Sequence, residues 1–137
     1  MKMHLEEARQ HMISHYGTDG ITISGQHFTG AVIVSESVLS DEWPEKAITS
    51  LVVEDFEPWL SADVSQSGET QLPEIILYGT GAKHRFLPPR LVAELSARGV
   101  AIEAMTTRAA CRTYSVLVGE SRRVMAIMLP VDAEESV

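Results

Sequence analysis

Residues 74–81 read Glu-Ile-Ile-Leu-Tyr-Gly-Thr-Gly, and the chain continues Ala-Lys-His-Arg-Phe-Leu-Pro-Pro to residue 89. The apolar run from Glu74 to Tyr78, closed by glycine, has the pattern of a strand buried on both faces. Pro88 and Pro89 stand where a helix begins, since the first helical position needs no N–H donor and favours the fixed φ of proline. Leu91, Val92 and Leu95 supply the apolar face of that helix, and Gly99 marks its end. Val100 to Ala104 is the next strand. Strand, helix, strand within about 30 residues is a βαβ unit, so the two strands are expected to lie parallel.

On the carboxyl side, Thr106 or Thr107 caps a helix from Arg108 to Leu117 that ends near Gly119, and Arg122 to Leu129 is a final strand. The tail, residues 131–137, reads as solvated. On the amino side, Met12 to Tyr16 and the alternating Ile21-Thr22-Ile23 flank the turn Gly17-Thr18-Asp19-Gly20, which predicts a β-hairpin. After Ser24-Gly25-Gln26, a longer strand is expected from Phe28 to Val34, with Gly30 as a bulge. Trp43-Pro44 excludes a helix at that point. Glu54 to Leu60 reads as a short helix, with Pro58 in its first turn. Ser65 to Gln71 is a polar loop. The fold class is therefore α/β: a three-layer sandwich with a mixed central sheet containing the parallel βαβ unit, plus an N-terminal β-hairpin.

A chain of 137 residues is one domain's worth, with an ordered core expected over residues 10–130. Its net charge of -8 argues against a nucleic-acid partner, which needs a basic face to displace counterions. The lone Cys111 rules out an internal disulfide and fits a reducing, cytoplasmic setting. Residues 1–10 carry no apolar signal core, and no run approaches the ~20 apolar residues that span a bilayer, so a soluble chain is expected. Oligomeric state is left open.

Two connections carry candidate chemistry. Gly79-Thr80-Gly81 leaves one parallel strand and Met105-Thr106-Thr107 leaves the next, so both are expected on the carboxyl edge of the sheet, where open α/β folds bind ligands. Lys83, His84, Arg85, Arg108 and Arg112 gather cations there in an otherwise acidic chain. Glycine backbone, a helix N-terminus and guanidinium groups suit an anion. The expected ligand-binding set is Gly79, Thr80, Gly81, Arg85, Thr107, Arg108 and Arg112. The competing reading makes the glycines a turn and pairs the arginines with acidic neighbours.

Cys111 falls in the first turn of its helix beside Arg112, a setting that favours the thiolate; the alternative is a small buried thiol. His11 and His15 have metal-pair spacing, but no further ligands accompany them, and neither a metal nor a cofactor is expected. Trp43, Phe56 and Trp59 read as core, with a partner-binding patch as the alternative.

Glu74 to Gly81, Arg85-Phe86, Pro88-Pro89, Met105-x-Thr107 and Ala110 to Tyr114, with Ile23 to Val34 and Trp43, resemble a family of domains of unknown function. That family was first known from a methanogen hypothetical protein and includes assembly factor three of mitochondrial complex I (NADH:ubiquinone oxidoreductase). The resemblance runs from about Tyr16 to Leu129. It implies a three-layer α/β sandwich with a β-hairpin elaboration, no agreed activity among bacterial members, and a non-enzymatic assembly role for the eukaryotic one. Ser115 departs from an expected Asn, and Ser35-Glu36 from an expected Pro.

Taken with the lack of a nucleophile elbow or a positioned acid–base pair, these features favour a binding or assembly module that holds a protein partner or a small anionic ligand. The alternative is an enzyme acting on an anionic small molecule, with Cys111 or Thr107 in the site.

Overall fold

A computed structural model describes residues 11–64 and 67–134. Among these residues are eight strands: β1 (Ile13–Gly17), β2 (Gly20–Ile23), β3 (Gln26–Phe28), β4 (Val32–Val34), β5 (Leu39–Ser40), β6 (Ile75–Gly79), β7 (Ala101–Met105) and β8 (Val124–Met128). The helices are α1 (Glu57–Leu60), α2 (Pro89–Ser96) and α3 (Thr107–Gly119), with 3-10 turns at Ile48–Ser50 and Val53–Asp55.

The main sheet has the order β5-β4-β8-β6-β7. Strand β6 runs parallel to both β7 and β8, while β4 is antiparallel to β8 and to β5. The expected βαβ unit is thus β6-α2-β7, inside a mixed sheet. Side chains alternate between two cores, as the two-residue period of a strand requires. Ile76 and Tyr78 of β6, Ile33 of β4, and Met125 and Ile127 of β8 face Leu91 and Leu95 of α2 and the loop aromatics Trp43 and Phe56. Leu77, Val32, Val34, Ala126 and Met128 face Ala110, Cys111 and Tyr114 of α3 and Ile21 and Ile23 of the hairpin. These are the three layers.

The hairpin is a three-stranded antiparallel sheet, β1-β2-β3. Gly17 pairs with Gly20 across the expected turn, and Ile23 with Gln26 across Ser24-Gly25, both of which have positive φ. The expected strand from Phe28 to Val34 is divided. Residues 26–28 belong to the hairpin sheet and 32–34 to the main sheet, so Thr29-Gly30-Ala31 carries the chain from one sheet to the other. Gly30 marks this crossover and not a bulge.

Helix starts follow the local chemistry. Thr106 caps α3, its Oγ1 accepting from the Ala109 N–H at 3.2 Å. Asp55 accepts from the Val52 N–H at 3.0 Å and holds Lys46 at 2.9 Å, fixing the turn before α1. Trp43 donates Nε1–H to Tyr78 OH at 3.1 Å and meets Phe56 edge-on, which satisfies the two polar tips inside the core.

The expected solvated tail starts later than residue 131. Val131 is buried, and Ala82 donates its N–H to Ala133 O at 3.0 Å, so 130–134 clasps the connection after β6. Residues 135–137 of that tail, 65–66 of the polar loop and the charged segment 1–10 lie outside the described residues.

Candidate functional site at the carboxyl edge of the sheet

Parallel register brings the ends of β6, β7 and β8 to one edge, with Gly79 opposite both Met105 and Met128. Two buried threonines join these ends. Thr80 donates its N–H to Met105 O at 2.7 Å, and its hydroxyl lies 2.6 Å from Lys83 O and 3.1 Å from Met105 O. Thr107 Oγ1 donates to Leu129 O at 2.8 Å and accepts from the Gly81 N–H at 2.9 Å, while its own N–H donates to Gly81 O. Gly79 allows this approach, since a Cβ there would stand 2.9 Å from Thr107 Oγ1 and 3.0 Å from its Cα. Gly81, at φ +100°, would carry a Cβ 2.5 Å from Ala133 O.

Gly79, Thr80, Gly81 and Thr107 are therefore together, as their spacing predicts, and the N–H groups of Thr80, Gly81 and Ala82 all donate to protein acceptors. Arg108 stands at the rim, lining a depression of about 220 Å³ with Gly81, Ala82, Thr106 and Asp132. Arg85 lies elsewhere, in a depression of about 350 Å³ with Lys46, Ile48, Phe86 and Leu129. Arg112 is exposed on α3, close enough to act on Cys111.

Cys111 is 1% exposed, and its Sγ lies 3.4 Å from Met128 Sδ. Burial pushes the thiol up to about 12, outweighing the pull of Arg112 and Arg108 toward the thiolate. Of the two readings of Cys111, the small buried thiol is the one that matches, packed in the core beneath α3. His15 pairs with Asp19 at 2.8 Å and His11 Nδ1 lies 3.2 Å from Ser24 Oγ, so each histidine has a local role in the hairpin.

The open part of this edge lies beside the threonine pair. A groove of about 1,010 Å³ runs between Phe28 and the crossover residues 29–31, the loop of Trp43 to Ala47, and Leu129 to Glu134. The depression holding Arg85 continues it, sharing Lys46, Ala47, Leu129 and Glu134. At its far end Phe86 is 83% exposed, with the His84 ring edge-on at 4.8 Å. Trp43 and Phe56 are core residues as expected, whereas Phe86, which sequence reasoning passed over as a functional residue, is the exposed phenylalanine among the described residues. Its signal was position: a phenylalanine two residues before Pro88-Pro89, in a connection without a strand or helix to bury it.

A family model described as a protein of unknown function (DUF498/DUF598) matches residues 13–129. The chain belongs to this family. An uncharacterised protein of Rhodobacter capsulatus is 47% identical over 58 residues, covering 42% of this chain and 47% of that protein. Assembly factor 3 of the mouse NADH dehydrogenase [ubiquinone] 1 alpha subcomplex is 29% identical over 124 residues, covering 89% of this chain and 62% of that protein. The matches thus span about half to under two-thirds of the length of these curated relatives. Among solved structures, a protein of Bordetella parapertussis superposes with a TM-score of 0.74 at 30% identity, covering 88% of this chain and 96% of that one. The expected family, with its complex I assembly factor members, and the expected α/β fold are both found. No helix among the described residues is long and apolar enough to cross a membrane.

Proposed function

We propose that this chain is a binding module of the assembly type, which holds a protein partner in the groove at the carboxyl edge of its sheet. The exposed Phe86 carries the reading. A phenylalanine side chain gains about 1.5–3 kcal/mol when it leaves water, and aromatic anchors beside a groove are the usual centres of protein interfaces. The mouse relative named as an assembly factor supports the same role. By contrast, the enzyme alternative has little to act with: Cys111 is a buried thiol and the Thr107 hydroxyl already bonds Leu129 and Gly81.

The test uses cells lacking the chain, complemented with a tagged wild type, Phe86→Ala or Arg108→Ala. Wild type and Arg108→Ala should recover one partner at fixed stoichiometry and restore assembled NADH:ubiquinone oxidoreductase, whereas Phe86→Ala should do neither. Full recovery by Phe86→Ala would remove the groove from the function.

A second reading keeps the anion site, with Gly79, Thr80, Gly81 and Thr107 as its frame and Arg108 as its charge. Arg108 in the first turn of α3, at the rim of the 220 Å³ depression, favours it; Asp132 on the same rim opposes it. A thermal-shift series with phosphate, sulfate and small carboxylates decides the matter. A ligand at ~100 times its dissociation constant adds ~2.7 kcal/mol, and Arg108→Ala should abolish that gain. Equal shifts in both proteins would sink the anion site.

A further inference from the structure

We infer that the segment received by this groove is basic and amphipathic, an inference that rests on the docking role proposed above. The charges around the groove are unevenly satisfied. Lys46 is held by Asp55 at 2.9 Å and is not available to a partner. Asp41, Glu45 and Glu134 line the groove and are exposed. None of the three forms an ion pair among the described residues. Arg85 is the single cation of the groove that is likewise unpaired among those residues. Three unpaired carboxylates therefore face one unpaired guanidinium.

Between these charges the mixed walls carry apolar patches. Phe28 and Ala31 stand on one side, Leu129 and Pro130 on the other, and Phe86 beyond them. A partner that buries leucine-like side chains here sets its flanking residues beside Asp41, Glu45 and Glu134. Lysine or arginine at those places meets complementary charge, and acidic residues meet repulsion. The carboxylates act on partner choice and encounter rate, and Phe86 with the apolar walls acts on residence time.

The probe is a fluorescein-labelled synthetic peptide of alternating leucine and lysine, with a leucine and glutamate counterpart, titrated by anisotropy against the full chain. The lysine peptide should bind and the glutamate peptide should not. The double variant Glu45→Lys/Glu134→Lys should weaken the lysine peptide by about tenfold or more. A control with the same change in net charge, Glu103→Lys/Glu120→Lys, sits on β7 and just after α3, and should change binding by less than about twofold. All four positions are exposed, so both variants should keep the fold.

Equal weakening by the control, or equal binding of the two peptides, would overturn the basic partner. The cellular partner separates this failure from failure of the docking role. If Phe86→Ala loses that partner while Glu45→Lys/Glu134→Lys keeps it, the groove stands and the basic chemistry falls. If Phe86→Ala keeps both peptide and partner, the docking role itself falls.

Discussion

Residues 79–81 close β6 and open the connection that also carries residues 84–86, yet the first triplet turns its polar groups onto the protein and the second leaves an aromatic ring in water. Thr80 and Gly81 are buried and bonded to Met105 and Thr107. Phe86, five residues on, touches the edge of His84 and is otherwise open. Glycine and threonine at strand ends suit a phosphate cradle and suit equally a splice between three strand ends. What separates the two uses is whether the N–H groups still lack acceptors. Here the next strand, the next helix and the C-terminal clasp supply them.

The contrast can be broken most severely at the splice. Gly81→Ala places a Cβ 2.5 Å from Ala133 O at a φ of +100°. Left-handed strain and overpacking together should cost about 2–5 kcal/mol, measured by urea unfolding. Thr107→Val keeps the shape but strands the Gly81 N–H and the Leu129 carbonyl, a loss of about 2–3 kcal/mol. A loss below about 0.5 kcal/mol in Thr107→Val would mean that the threonine is not the splice.

Smaller effects come from the thiol behind it. The Cys111 thiol rises from 9.0 to about 12 in the fold. On raising the pH the unfolded chain therefore gives up this proton first. The contribution to stability is complete below about pH 9 and is lost as the pH climbs toward 12. Tyr78, raised from 10.0 to about 12, adds a loss of the same sign beginning a unit later. Cys111→Ala should remove the early part of the decline and leave the later part; an unchanged profile would remove the thiol from the alkaline unfolding. Native protein should also react with a thiol reagent far more slowly than urea-unfolded protein.

The smallest change in stability belongs to the open half. Phe86→Ala should stay within about 0.5 kcal/mol of wild type in urea. Stability lost there on the scale of Thr107→Val would make Phe86 a structural residue and erase the contrast.

Where the deciding chemistry is local, the sequence could be read. The βαβ unit, the proline-led α2, the Thr106 cap and the hairpin turns all depend on residues within a few positions of one another. The crossover at Thr29–Ala31 was not legible, because leaving one sheet for another is decided by which strands await on either side. Cys111 illustrates the same limit. Helix dipole and arginine are visible as neighbours in the sequence, while the burial that overrides them comes from Met128 and the sheet. Gly79 to Gly81 and Thr107 were found together from spacing alone, but not the saturation of their hydrogen bonds, which needs Leu129 and Ala133 from the far end of the chain.

The order of strands also bears on when this protein becomes competent during its synthesis. Strand β8, the last among the described residues, sits in the middle of the sheet between β4 and β6, so Val34, paired with Leu39 on one side, must wait for Ala126 on the other. Such distant pairing makes folding slow compared with a helical bundle. One wall of the groove, Leu129 to Glu134, follows β8 in the chain. A nascent copy that has not yet released residues 129–134, or one truncated before them, therefore has no groove to offer a partner.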